Sequence, residues 1–227
     1  FERFAATYRI KELVYYLHEY SFGRMISAVM GFVSPNTSRI GFQHGPASWR
    51  KLLYFMASGE ASISPPFLNN APVPHQVIAE DEDSAEIYRH AGYVNVTVME
   101  KIYRLKYLES VKPKYNSLRR LIAPGLHDGE ALMWEVLPSI VNNPAVEFIL
   151  KPHPLANNGY ILLFKDIANL SVTDKLIEEL LTEVSEVFVT YSSVGAEARS
   201  LGIKVHPINL PGIVSQSPLH DCLTNKK

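Results

Sequence analysis

The sequence has almost no cysteine, no excess of either charge and no long apolar run, and each of these absences excludes a class of protein. Its 227 residues include a single cysteine, Cys222, which excludes an internal disulfide and a thiolate zinc cluster. Neither charge is in excess, since 22 lysines and arginines face 23 aspartates and glutamates, which argues against a protein that coats nucleic acid or anionic lipid. No apolar run is long enough to cross a bilayer, and no secretory signal is visible. With 47% apolar residues to form a core, the composition predicts a folded, soluble protein.

Several catalytic motifs are missing as well. The sequence has neither a Walker loop nor a GxGxxG fingerprint, so ATP-driven chemistry and dinucleotide redox chemistry are unsupported. A GxSxG nucleophile elbow and an aspartate-rich DXD-like motif are also absent. No pair with metal-ligand spacing occurs among His18, His75, His90, His206 and His220. We therefore expect neither a catalytic metal nor a cofactor.

What the sequence does contain is a regular alternation of short apolar runs and longer amphipathic stretches. Such alternation is typical of parallel sheets with helical crossovers, and it restarts after a linker at 112–114, which predicts an α/β protein with two Rossmann-like units facing each other. We place the units at 1–111 and 112–227. Because the chain begins at Phe1 inside a helical pattern, we expect the first unit to be incomplete. The predicted strands are 13–17, 39–42, 75–79, 94–96, 120–123, 147–150, 186–190 and 204–208; the predicted helices are 22–32, 83–91, 99–108, 130–141, 174–183 and 193–201.

Polar side chains follow most of these strands, at the ends where ligands bind in open parallel sheets. The clearest case is the strand Glu147–Leu150, which runs directly into Lys151-Pro152-His153-Pro154. Proline cannot donate to a sheet ladder, so the two prolines end the strand and stiffen the loop. Lys151 and His153 then form a pair of donors suited to a phosphate, although an ordinary strand exit remains the alternative. Comparable polar residues follow other strands at 18–19, 43–45, 124–129 and 191–195.

Ser192 and Ser193 supply a second candidate phosphate site. A strand ends in the two serines and a helix follows at once, so the unpaired amides of its first turn, with hydroxyls beside them, can bind an anion. The alternative is that Ser193 only caps the helix. We expect the strand before these serines to neighbour the strand before Lys151, so that both sites would bind one nucleotide diphosphate or monophosphate ester.

These residues resemble the motifs of a known family. The pair His153-Pro154 and Ser192-Ser193 looks like the HP and SS motifs of bacterial sialyltransferases, polysialyltransferases and Kdo transferases of the GT-B fold, and a similar pair occurs in CDP-glycerol polymerases of teichoic acid synthesis. The order of the strand-end residues along the chain, including Gln43-His44-Gly45, also resembles bacterial surface-carbohydrate biosynthesis proteins of this type.

The resemblance implies a metal-independent glycosyltransferase that uses a CMP-activated acidic sugar. His153, Ser192 and Ser193 would then hold the phosphate of the CMP leaving group, with Lys151 as a helper. Glu197, on the helix after the serines, would bind the nucleotide ribose, although a solvated helix face would explain it as well. The predicted nucleotide site also includes Gly125 and Pro154. The implied partners are a CMP-sugar and an oligosaccharide or glycolipid acceptor, with no nucleic acid, in the cytoplasm or at the inner face of the bacterial inner membrane.

The general base is where the sequence departs from the family pattern. Those sialyltransferases carry an acidic motif ending in glycine in the N-terminal unit, and no such triplet occurs before residue 112. The acidic stretch 79–83 lacks the glycine, and we interpret it as a charged helix start. Asp128 precedes a glycine but falls in the second unit. Glu19 and His44, both after strands of the first unit, are better placed, and we favour Glu19; for His44 a loop or core role is the alternative.

Other functions remain open at this stage. A GT-B-like enzyme that does not transfer a CMP-linked sugar, such as a UDP-sugar 2-epimerase or a CDP-glycerol-type transferase, would have similar strand ends. A non-catalytic nucleotide-binding module would also fit.

Overall fold

The computed structural model of the chain describes residues 2–17, 21–56, 73–115 and 117–219. The chain divides into two compact units, Phe1–Ile102 and Tyr103–Lys227. This boundary lies earlier than the one predicted at 111/112, because the 3-10 helical segment Tyr103–Ser110 packs Leu108 into the core of the second unit. The predicted α/β class, with two Rossmann-like units of parallel strands, is confirmed.

The first unit is built on a parallel sheet of four strands. Its elements are α1 (Glu2–Thr7), β1 (Glu12–Leu17), α2 (Ser21–Val33), β2 (Ser38–Gln43), β3 (Gln76–Ala79), α3 (Glu82–His90) and β4 (Val96–Val98). The strands lie side by side in the order β1-β2-β3-β4, and each neighbouring pair is parallel. The carboxyl ends of all four strands therefore lie at the same edge of this sheet.

The acidic stretch at residues 79–83 starts helix α3, as the sequence predicts. The carboxylate of Asp81 accepts a hydrogen bond from the backbone N–H of Ser84 at 2.7 Å, and Glu82 and Asp83 lie in the first turn. Negative charge at this end is favourable because the N–H groups of the first turn carry partial positive charge. The stretch is therefore a helix cap and not a displaced catalytic motif.

The second unit is built on a parallel sheet of five strands. Its elements are β5 (Arg119–Ile122), α4 (Gly129–Val141), β6 (Glu147–Leu150), β7 (Leu170–Val172), α5 (Ile177–Glu183), β8 (Glu186–Val189), α6 (Ser193–Ser200) and β9 (Lys204–Pro207). The strand order is β7-β6-β5-β8-β9, so β5 is the central strand. All four strand pairs are parallel.

Alternate residues of the central strands pack against the two faces of this second sheet. Ile122 of β5 and Phe148 of β6 contact the buried side of α4, whereas Leu121 of β5 packs with α5 and α6 on the other face. Because both faces are covered, the strands are apolar almost throughout, which is why they were visible in the sequence. Each such side chain contributes about 1.5–3 kcal/mol on burial. The core thus holds the ends of β5, β6 and β8 in fixed positions.

Two elements differ from the sequence prediction. Strand β7 was not predicted, because three residues at a sheet edge give no readable alternation. The helix expected at 99–108 is instead the 3-10 segment Tyr103–Ser110. Within the described ranges, no helix combines the length and the apolar character that a membrane span requires.

Candidate functional site

The strand order places a topological switch point between β5 and β8 of the second unit. From β5 the chain runs outward to β6 and β7, and it then returns to the other side of β5 to form β8 and β9. In open parallel sheets ligands bind outside the carboxyl ends of the strands at such a point. The predicted nucleotide-site residues that follow β5, β6 and β8 all lie at this edge.

One expectation about this edge is wrong. The sequence predicts that the strand before Lys151 lies next to the strand before Ser192, but β5 lies between β6 and β8. Neighbouring strands are about 4.8 Å apart, so the two strand ends are separated by roughly 10 Å. The reason is the return of the chain past β5, which no local pattern in the sequence indicates.

The loop after β5 lies between the two candidate phosphate sites and contains Gly125. A Cβ atom at Gly125 would lie 2.5 Å from Cε2 of Tyr191, the residue that precedes the two serines. The hydroxyl oxygen of Tyr191 accepts a hydrogen bond from the backbone N–H of His127 at 3.3 Å. Glycine at position 125 therefore permits close packing of the β5 and β8 loops, and the residue lies in the middle of the predicted site.

Of the two ring nitrogens of His153, one is hydrogen-bonded to the described part of the chain and the other is not. Its Nδ1 accepts a hydrogen bond from the backbone N–H of Leu155 at 3.2 Å, so in the neutral imidazole the proton resides on Nε2. Nε2 makes no hydrogen bond within the described part of the chain, and the side chain is half-buried. Nearby, Nζ of Lys151 donates to the backbone carbonyl of Asp174 at 2.9 Å, while Pro154 is exposed in the turn. The loop thus presents an N–H donor of His153.

The capping alternative for the serines is not what the structure shows. Ser192, and not Ser193, occupies the N-cap position of α6, and its side chain makes no capping hydrogen bond. Ser193 is the first helical residue and is exposed. The hydroxyl of Ser192 therefore accepts no hydrogen bond from a first-turn amide of α6.

Glu197 has a different environment from either sequence interpretation. The residue is only 6% exposed, so the solvated-face alternative is wrong. Its Oε1 lies 3.8 Å from Nη1 of Arg104, and burial together with the nearby Glu197 carboxylate raises the pKa of Tyr107. Both partners belong to the 3-10 segment of the same unit. Ribose binding by Glu197 stays a prediction and would require these contacts to rearrange.

Of the candidate bases, only His44 is among the described residues of the first unit. Glu19 lies outside the described residues. His44 follows β2, is exposed, and makes an edge-on ring contact with Tyr16 at 5.8 Å between centroids. The preceding Gln43 is buried and ties the loops together, since its Nε2 donates to the carbonyl of Gly45 at 2.7 Å and its Oε1 accepts from the N–H of Glu80 at 2.8 Å. His44 thus projects from a rigid strand end.

Asp128 and Thr190 form a contact that sequence reasoning missed. Asp128 is 5% exposed, and its Oδ2 accepts a hydrogen bond from Oγ1 of Thr190. Its other carboxylate oxygen, Oδ1, is buried, and no donor of the described residues has the distance and angle of a hydrogen bond to it. Burial raises the pKa of Asp128, opposed by backbone N–H groups and by the charges of His127 and His153. The sequence signal was an aspartate directly before a helix, which normally indicates a cap.

A separate cavity of about 490 Å³ lies at the opposite, amino-terminal edge of the second sheet. Its charged lining residues pair with one another, because the carboxylate of Glu186 lies 3.4 Å from Nη2 of Arg120 and 3.6 Å from Nζ of Lys204. His206 adds a contact of 2.6 Å to the same carboxylate. These groups already satisfy each other, so we assign the functional site to the carboxyl edge.

Comparison with known proteins identifies the fold and nothing finer. A scan of protein-family models and a search of curated proteins found no match. Among solved structures, the UDP-GlcNAc 2-epimerase of Neisseria meningitidis bound to UDP-GlcNAc is 14% identical with a TM-score of 0.64, covering 97% of this chain and 64% of that one. MurG of Acinetobacter baumannii is 12% identical with a TM-score of 0.56, covering 99% and 60%. The chain thus has a GT-B-type fold and spans less than two thirds of the length of either protein.

Proposed function

We propose that this chain belongs to a glycosyltransferase that moves an acidic sugar, such as a nonulosonate or Kdo, from a CMP-activated donor to a surface glycan or glycolipid. The observation that supports this most is a pair of donors at one edge of the second sheet, the Nε2–H of His153 and the hydroxyl of Ser192. Neither is used within the described part of the chain. The resemblance to the HP and SS motifs supports the same assignment.

In the proposed reaction, the acceptor oxygen attacks the anomeric carbon while the bond from that carbon to the phosphate oxygen of CMP breaks. The bonding electrons move to the phosphate, which gains negative charge. His153, the two serines and the N-terminus of α6 supply donors for that charge, and Lys151 keeps two further N–H groups beyond the one bound to Asp174. Because these donors can stabilise the charge on the leaving phosphate, we propose a reaction that needs no metal ion.

The proton of the acceptor hydroxyl goes to a base, for which we propose Glu19 of the first unit. A carboxylate remains ionised at neutral pH and can accept this proton. His44 is the second candidate for the role. Asp128 is disfavoured, because both of its carboxylate oxygens are buried or hydrogen-bonded to Thr190.

One observation favours a second candidate function with a nucleoside diphosphate. Since β5 separates β6 from β8, the donors on these strands start roughly 10 Å apart. A diphosphate spans such a separation more easily than a single phosphate does. A CDP-glycerol-type transferase or a UDP-sugar 2-epimerase would use a ligand of this kind.

A thermal-shift titration with CMP, CDP, UDP and GDP tests the proposal. At a hundredfold excess over Kd a ligand stabilises the folded state by about 2.7 kcal/mol, which corresponds to roughly 5–10 °C for a chain of this size. We expect CMP and CDP to raise the melting temperature and UDP and GDP to have little effect. Stabilisation by UDP alone would favour the epimerase-like function. No shift with any nucleotide would contradict both candidates.

The Ser192→Ala/Ser193→Ala double variant should bind CMP about tenfold more weakly than the wild type. The two hydroxyls are lost, but the first-turn amides of α6 remain, so binding is reduced and not abolished. Isothermal calorimetry measures the affinity directly. Ser200→Ala, at the other end of the same helix, is the matched control and should keep wild-type affinity. Unchanged CMP affinity in the double variant would mean that the serines only shape the start of the helix.

A further inference from the structure

The side chain of Asp128 does not cap its own helix, but hydrogen-bonds a residue far away in the sequence. The residue occupies the N-cap position of α4, where an aspartate usually accepts a hydrogen bond from a first-turn amide, yet it makes no such bond. Instead Oδ2 accepts from Oγ1 of Thr190, 62 positions further along the chain. Both side chains are buried, with 5% and 2% of their surface exposed. Thr190 is thus the side-chain hydrogen-bond partner of this buried carboxyl group among the described residues.

The hydrogen bond joins the two loops that meet at the switch point. Asp128 ends the loop that begins after β5 and contains Gly125, while Thr190 directly follows β8 and precedes Tyr191 and Ser192. A second connection crosses the same gap, since the ring of Tyr191 fills the space above Gly125. Movement of Thr190 would therefore carry Ser192 with it.

The carboxyl group of Asp128 also interacts electrostatically with His153, which is predicted to bind the phosphate. His127 and His153 stabilise the ionised form of Asp128, and burial together with the charge of Asp128 raises the pKa of both Tyr160 and Tyr191. Tyr160 packs against Gly129, at the start of α4, where a Cβ atom would lie 2.5 Å from its hydroxyl oxygen. The carboxyl group thus lies behind the loops that present donors to a ligand.

We infer that Asp128 is a positioning residue, which acts through Thr190 to hold the hydroxyl of Ser192 where a nucleotide phosphate binds. The inference rests on the proposed nucleotide site, but it does not depend on the identity of the base or the sugar. Asp128 touches neither phosphate nor sugar in this scheme. Its effect on binding is transmitted by the hydrogen bond to Thr190.

A double-mutant cycle between positions 190 and 192 tests the inference, with affinity measured by calorimetry for CMP and, in parallel, UDP. Thr190→Val removes the hydroxyl while keeping the shape of the side chain, and it should weaken nucleotide binding about tenfold. In that background Ser192→Ala should cost almost nothing further, because the misplaced hydroxyl no longer contributes. Thr190→Ser and Asp128→Asn, which keep a donor and an acceptor respectively, should retain most of the wild-type affinity.

A purely structural role predicts a different pattern. Thr190→Val would then lower the melting temperature without changing nucleotide affinity, or its effect on affinity would add in full to that of Ser192→Ala; either result overturns the inference. Failure of the proposed function is read from the wild-type protein before any variant: binding of UDP but not CMP would contradict the CMP donor while the cycle is still measured with UDP, and binding of neither nucleotide would contradict the site and the inference together. Sub-additive losses together with rescue by Thr190→Ser support the inference.

Discussion

A His153→Ala variant is expected to lose about a hundredfold to a thousandfold in turnover while remaining folded. Removing one donor aimed at developing negative charge typically costs about 2.7–4 kcal/mol of transition-state stabilisation. The structure makes the reason specific, because the backbone N–H of Leu155 occupies Nδ1 and leaves the Nε2–H as the donor. The half-buried ring contributes little apolar burial, so the melting temperature should change little. Turnover of a CMP-sugar with a glycan acceptor is the measurement.

The His153→Gln variant is the informative control for this prediction. The amide N–H₂ of glutamine reaches close to the position of Nε2, so it should recover part of the activity that alanine loses. If His153→Ala turns over at a near wild-type rate, the imidazole has no part in the reaction. If glutamine and alanine are equally inactive, the role of the side chain is not that of a hydrogen-bond donor.

A Glu19→Gln variant is expected to bind CMP normally and yet lose transfer by about a hundredfold to ten-thousandfold, the range typical of a general base. The amide cannot accept the proton of the acceptor hydroxyl, but it preserves the size of the side chain, so the melting temperature should stay near that of the wild type. Steady-state transfer rates and CMP calorimetry on the same preparation separate the two effects. The prediction is positional, since in the family that the chain resembles the base comes from the N-terminal unit.

His44→Ala and Asp128→Asn provide the comparison for Glu19→Gln. His44, which follows β2 and is exposed, is the second candidate for the base. Asp128→Asn should keep transfer, because its side chain is buried against Thr190 and can still accept that hydrogen bond. Wild-type transfer by Glu19→Gln together with an inactive His44→Ala variant would assign the base to His44.

Much of the candidate site was readable in the sequence for a simple physical reason. Parallel strands buried on both faces must be apolar throughout, so a polar residue directly after such a run marks the strand end where ligands bind. Lys151 and His153 follow β6, and Ser192 follows β8, in this way. The carboxylate cap of α3 by Asp81 was equally readable, because capping depends on residues within one turn.

Local sequence patterns were enough to predict the α/β class, the apolar strands and the polar residues that follow them. Which strands are neighbours could not be predicted in this way, since the return of the chain past β5 depends on the packing of whole helices against both faces of the sheet. The same holds for side-chain partners far apart in the chain. The sequence offered Asp128 only as a carboxylate before a glycine, and Glu197 as a ribose ligand or a solvated helix position, yet each is buried against a residue that no periodicity or spacing connects to it. Local patterns reflect backbone preferences and burial, whereas such pairs arise only when distant segments are brought together by the core.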